Sequence, residues 1–266
     1  MRAIIAALRH HVRPMVQSVS LLGFNAYFLD FKRVCGPVFN CHSCPLAVFA
    51  CPVGVLVNFS TLHLVPLVAI GIVGLAGVLG GRIICGWLCP FGFLQDLLHK
   101  IPSGKFCLPA WLLNAKYVVL VVMVVVIPYV LPGSILVFCR LCPAGTLESS
   151  IPWRTMTHSW TWSGMFISRL VVVAAVLVGA VLVSRVFCRL VCPLGAILSL
   201  FNRFSLVRMQ VTVTCNQCGL CVKQCPMEIH PMDQLNSAEC IRCLECSKSR
   251  HFRLGTEYHA ADDGRI

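Results

Sequence analysis

Residues 85–90, Cys-Gly-Trp-Leu-Cys-Pro, and residues 188–193, Cys-Arg-Leu-Val-Cys-Pro, are one motif, C-x-x-x-C-P, written twice. Aligning Arg82–Ile101 on Arg185–Phe204 matches the arginine, both cysteines, the proline, a glycine and one leucine. A second motif, C-x-x-C-P, stands upstream of each copy, at Cys41/Cys44 with Pro45 and at Cys139/Cys142 with Pro143. The order is the same both times, so the chain reads as a tandem repeat over about 20–101 and 118–204. Beyond the repeat, Cys215, Cys218, Cys221 and Cys225-Pro226 have the C-x2-C-x2-C-x3-C-P spacing of bacterial iron–sulfur ferredoxins.

Between the motifs the chain is apolar. Of the 266 residues 58% are hydrophobic and 12% charged, against about 25% charged in soluble domains; mean hydropathy is +0.82. Three stretches, Leu62–Gly81, Tyr117–Val137 and Phe166–Phe187, approach the ~20 residues that a bilayer crossing needs. A weaker one runs from Met15 to Phe31. Four crossings put both termini on one side. Lys and Arg select the side: Arg2, Arg9, Arg13, Arg82, Lys100, Lys105, Lys116, Arg185, Arg189, Arg203 and Arg208 fall on one face, against Lys32, Arg33, Arg140, Arg154 and Arg169 on the other. That asymmetry predicts cytoplasmic termini in a multi-pass protein of a bacterial or archaeal cytoplasmic membrane. The net charge of +12 reports topology and contact with anionic lipid. Nucleic acid is not expected as a partner, because no basic patch is interleaved with aromatics.

The expected fold is mainly α and integral to the membrane: about four transmembrane helices as a tandem two-helix repeat, with a C-terminal ferredoxin-like α+β domain. The domains expected are 1–205 in the membrane, 206–258 carrying iron–sulfur and a tail over 259–266. Phe91–Ile101 and Leu194–Phe204 are short and amphipathic, as in-plane helices are. Leu46–Phe59 is apolar but broken by Cys51-Pro52 and Gly54, so it reads as re-entrant or protein-buried.

The eighteen cysteines are spaced for clusters or metals rather than for a small secreted disulfide framework. In a two-cluster ferredoxin the fourth cysteine of one run ligates the other cluster. Cys240, Cys243 and Cys246 with Cys225 therefore make one complete [4Fe-4S] set. Cys215, Cys218 and Cys221 lack a fourth, because Arg250 occupies the expected position. A three-iron cluster, a ligand such as His251, or the spare Cys107 are the options. Topology puts Cys85, Cys89, Cys188 and Cys192 at the inner face, and Cys41, Cys44, Cys139 and Cys142 at the outer. Four thiolates then meet on the repeat axis at each face, so one or two further clusters are expected in the membrane domain; free thiols or disulfides are the alternative. His63, His158 and Glu148 outside, with Asp96 and His99 inside, are candidate quinol-site groups. A lone interfacial histidine is usually hydrogen-bonded or solvated, so haem is not expected.

These motifs resemble those of NapH-type membrane ferredoxins, related to MauN and to the C-terminal parts of NosR and CcoG, over about Ile83 to Cys246. The resemblance implies an electron-transfer subunit, of quinol dehydrogenase type, exchanging electrons with the quinone pool and partner redox subunits. The C-x-x-C-P motifs and the absent fourth ferredoxin cysteine depart from the NapH pattern. A thiolate-based copper-handling membrane protein is the alternative; the ferredoxin run separates the two, since a copper carrier does not need it.

Overall fold

The computed structural model describes residues 2–26, 31–211, 219–232, 234–246 and 252–256. The protein is mostly helical. Its elements are α1 (Arg2–Phe24), β1 (Phe31–Cys35), β2 (Phe49–Ala50), α2 (Pro52–Thr61), α3 (Leu67–Gly80), α4 (Ile83–Trp87) and α5 (Pro90–Leu98). A second series follows with α6 (Ala110–Val130), α7 (Phe138–Leu141), α8 (143–156), α9 (Gly164–Leu182), α10 (Val186–Leu190) and α11 (Pro193–Phe201). The C-terminal segment adds β3 (Arg208–Val211), α12 (Leu220–Lys223) and β4 (Phe252–Gly255). β3 and β4 pair antiparallel, Arg208 against Gly255 and Val211 against Phe252.

The two series run in parallel. α2, α3, α4 and α5 correspond to α8, α9, α10 and α11, and α1 packs on α4 and α5 as α6 packs on α10 and α11. The halves also exchange their last helices: α5 lies against α9, and α11 against α3. At this crossing Phe201 lies so close to α3 that a Cβ on Gly77 would meet its ring at 2.7 Å.

Two helices, α6 and α9, are long and apolar enough to cross a membrane, with hydropathies of 2.3 and 2.5. At 1.5 Å per residue each is ~30 Å long. Most of their exposed residues are apolar, among them Val118, Val121, Val171 and Val178. The expected bounds shift. α6 begins at Ala110 and stops at Val130, because Pro132-Gly133 follows. α9 ends at Leu182, and Arg185 turns the chain with φ 49°. α3 has 14 residues, or ~21 Å, since Pro66 precludes the expected start at Leu62. Wide π-turns occupy Leu120–Val126 and Thr146–Ser150. Each ends two residues before a proline, Pro128 or Pro152, whose missing N–H and bulky ring the wider turn accommodates.

The segments expected to lie in the membrane plane pack one face into the protein and leave apolar residues such as Leu97 and Leu200 exposed. Phe91 and Gln95 of α5 are buried, as are Leu194, Ala196, Leu198 and Ser199 of α11. The broken stretch around Pro52 is also inside: β2 pairs in parallel with β1, and Val53 and Val57 of α2 are buried.

Candidate metal centre

Four short helices share one beginning. Cys51, Cys89, Cys142 and Cys192 are the N-cap residues of α2, α5, α8 and α11, each with ψ between 112° and 126°, and each followed by proline at the first helical position. Proline suits that position because its N–H would have no partner there. Two residues after each proline stands a glycine: Gly54, Gly92, Gly145 and Gly195. Gly195 N–H donates to Cys192 Sγ at 3.3 Å, and the N–H groups of Gly54, Gly92 and Gly145 favour the thiolates of Cys51, Cys89 and Cys142 in the same way. The full motif is therefore C-P-x-G, and it occurs four times. Cys44-Pro45-Leu46-Ala47 lacks the glycine and heads no helix. Counting glycines as well as prolines would have singled out Cys51 in place of Cys44.

Cys85, Cys89, Cys188 and Cys192 are all buried in one apolar cluster and are near enough for each to act on the charge of the others. Gln95 Nε2 donates to Cys188 Sγ at 3.1 Å. Two arginines close this group reciprocally. Arg82 Nη2 donates to the Cys188 carbonyl at 3.3 Å, and Arg185 Nη1 to the Cys85 carbonyl at 2.8 Å. Both side chains are inaccessible to solvent, so each requires a carboxylate. Arg185 binds Asp96, donating from Nε at 2.7 Å and Nη2 at 2.6 Å. In the other half Ser199 replaces Asp96, and Arg82 takes Glu239 of the C-terminal segment at 3.3 Å, together with the Ala238 carbonyl at 2.7 Å. Glu239 also pairs with buried Lys116.

In the C-terminal segment, Cys225, Cys240, Cys243 and Cys246 line one pocket. This is the set whose spacing predicted a complete cluster site. Buried Arg242, between two of them, reaches only carbonyls: Gly80 at 2.9 Å, Asn202 at 2.6 Å and Val207 at 2.5 Å. Its Nε has no hydrogen-bond partner. A buried guanidinium beside four thiols, with carbonyls as its hydrogen-bond acceptors, fits an anionic iron–sulfur cluster held by those thiolates. Cys221 is buried; Cys215, Cys218 and His251 lie outside the described residues, as does the 259–266 tail. Cys107 is exposed.

On the other side of the inner cysteines, Phe39, Phe91, Phe138 and Phe187 form a buried aromatic cluster. Phe39 touches Phe187 at 5.4 Å, Phe91 at 6.0 Å and Phe138 at 6.3 Å between ring centroids. Beyond it a cavity of about 470 Å³ is lined by Cys41, Cys51, Cys139 and Cys142. Cys44 is not among its lining residues; it is buried nearby, and its carbonyl accepts from Lys32 Nζ at 3.2 Å. Burial pushes the Cys41 thiol up to about 12, whereas Cys139 is exposed. Among the described residues no three His, Cys, Asp or Glu side chains are grouped to hold a single ion; thiolates around a cluster stand farther apart than thiolates around one metal.

The acid–base candidates separate. Burial works to raise the Asp96 carboxyl, but Arg185 and then Arg13 outweigh it and hold it below its ordinary value. Glu148 accepts from Cys41 N–H at 2.7 Å, and burial raises it to about 7. His63 and His158 are exposed and have left-handed backbones, φ 56° and 49°, at equivalent places just after α2 and α8. They turn the chain where helices end. His99 Nδ1 is buried without a partner.

A family model described as a 4Fe-4S binding domain matches residues 61–109, 115–149 and 165–211. The uncharacterised protein MJ0750 of Methanocaldococcus jannaschii is 36% identical over 64% of this chain and 68% of its own length. The regulatory protein NosR of Stutzerimonas stutzeri is 33% identical over 65% of this chain but 24% of its own. The putative electron transport protein YccM of Escherichia coli is 27% identical over 63% of this chain and 48% of its own. The chain thus spans a quarter to two thirds of these relatives. No solved structure matches it. The family model and these relatives agree: the chain belongs to the NapH/MauN/NosR-type family of 4Fe-4S ferredoxins.

Proposed function

We propose that this protein carries electrons across a membrane, from the side of its C-terminal iron–sulfur segment to a partner redox protein or quinone at the opposite face. The observation that carries the reading is one continuous core. It holds the four inner cysteines and Cys51, with Cys142, Cys225, Cys240 and Cys243 packed against it. Three thiolate groups thus lie along one packed path, and tunnelling falls steeply with distance through protein. Bound [4Fe-4S] clusters would supply the one-electron steps. Cys225, Cys240, Cys243 and Cys246 would hold the first cluster, and Cys85, Cys89, Cys188 and Cys192 the second.

The chain's own residues do the rest. Gly86 of α4 lies so close to the Ile241 carbonyl that a Cβ there would collide with it; this contact sets the C-terminal segment against the inner group. Arg185 is near enough to both Cys188 and Cys243 for their charges to act on it, so it offsets negative charge at both sites. The phenylalanines exclude water between the inner and outer groups. In this reading residues 1–205 form the membrane domain, α1 and α3 join α6 and α9 as crossings, and both termini are cytoplasmic. Should the partner be quinol, Glu148 is the carboxyl suited to proton exchange near neutral pH.

The test uses sealed vesicles of known orientation containing the purified protein. A reductant on the C-terminal side should reduce a trapped acceptor on the other. Full reduction of the protein's clusters with no reduction of the acceptor would overturn transmembrane transfer and leave electron carriage along one face.

A further inference from the structure

We infer that the outer cavity is a cluster site of its own, with Cys51, not Cys44, as its fourth ligand beside Cys41, Cys139 and Cys142. This deepens the reading above and rests on its assignment of iron–sulfur chemistry to the chain.

The argument begins with equivalence. At the inner group each half gives one cysteine from a short helix, Cys85 of α4 or Cys188 of α10, and one N-cap cysteine of the next, Cys89 or Cys192. At the outer cavity the second half does the same, with Cys139 in α7 and Cys142 capping α8. The first half completes the pattern only through Cys51, which caps α2. Cys41 supplies its partner from the loop between β1 and β2. The interval differs between halves, ten residues against three, which hides the equivalence in the sequence.

The local geometry agrees. Cys41, Cys51, Cys139 and Cys142 line the same cavity, and Cys41 and Cys51 both act on the charges of Cys139 and Cys142. A Cβ on Gly145 would come within 3.4 Å of Cys41 Sγ, so the α8 helix start of one half reaches the sulfur of the other. A thiolate at an N-cap gains from the helix dipole and the free N–H groups of the first turn. Cys51 has that position; Cys44 does not. Cys51 is buried and Cys41 and Cys142 are half-buried, so these thiols are costly to ionise here without a cation. Binding iron releases one proton from each sulfur and leaves its charge compensated by the metal. Phe39 and Phe138 touch each other, line this cavity and belong to the inner aromatic cluster, so the site continues the path.

The experiment is iron and acid-labile sulfide content, with Mössbauer and EPR spectra, of the full chain purified anaerobically. Cys51→Ser should lose about four iron and four sulfide per chain, one [4Fe-4S] cluster, and keep the inner and C-terminal signals. Cys139→Ser, at an exposed position less tied to packing, should lose the same signal. Cys44→Ser should retain full content. Loss in Cys44→Ser with retention in Cys51→Ser would overturn the assignment, as would full content in Cys51→Ser and Cys139→Ser. In both cases the inner and C-terminal clusters would persist and the broader reading would stand. Wild-type protein without iron and sulfide would overturn both.

Discussion

The reciprocal arginines decide most at the scale of single residues. Arg185 bridges Asp96, the Cys85 carbonyl and the neighbourhood of Cys243, with no exposure to solvent. Arg185→Ala should cost on the order of 3–5 kcal/mol, because it leaves Asp96 buried with half its partners gone. Thermal unfolding in detergent would read this as a large fall in midpoint. Asp96 also sets an acid limit. Its folded pKa lies below the ordinary 3.8, so its stabilisation is complete above that value and is lost as pH falls through the lowered one. Asp96→Asn should lower stability at neutral pH and flatten the acid limb of the stability profile. An unchanged acid limb would show that other carboxylates control it.

Among the elements, the short helices that begin C-P-x-G recur most often. The glycine matters to different degrees at different copies. A Cβ on Gly92 would stand 3.2 Å from the Cys85 carbonyl and 3.5 Å from the Arg185 guanidinium, whereas one on Gly54 would meet only Cys51 Cβ at 3.7 Å. Alanine gains up to ~1 kcal/mol over glycine in a helix. Gly54→Ala should therefore be neutral or stabilising, while Gly92→Ala should lose that gain to the crowding and shift the inner cluster's EPR signal. Equal effects at both sites would mean that the close approach at Gly92 is not a constraint. Both the inner C-x-x-x-C-P motifs and the basic residue before each were legible in the sequence, because they are local. The local C-P-x-G motif marks both Cys51 and Cys142, but that Cys41 and Cys139 join them at one cavity was not legible, because intervals of different length lead to helix starts that only the fold brings together.

For the whole molecule, the break in the repeat attaches the C-terminal segment. Where the first half has Asp96 the second has Ser199, and Arg82 is completed by Glu239 instead. Lys116 shares that carboxylate, and neither cation has solvent access. Glu239→Gln should destabilise by about 3–5 kcal/mol and slow electron transfer from the C-terminal cluster to the inner one. Rapid reduction followed optically would measure the rate, and chemical unfolding in detergent the stability. A destabilised variant with unchanged transfer would show that docking survives without the pair. The same arrangement explains why one face of α5 and of α11 is buried although their sequences read as interfacial: each packs on a helix of the other half, α5 on α9 and α11 on α3.

The sequence by itself determined the chemistry and the plan: iron–sulfur spacing, apolar helices, a tandem order, and the set of Cys225, Cys240, Cys243 and Cys246. Each of these depends on neighbours within a few residues or on a periodic apolar pattern, and both survive in one dimension. The tertiary structure decided which distant residues meet. It brought Cys51 to Cys139, set Arg82 against Glu239 and Arg185 against Asp96, shortened α3, and filled the space between inner and outer thiols with four phenylalanines. These depend on the crossing of the two halves. Burial of a charge or a thiol is a property of that crossing, since each half supplies what the other must cover.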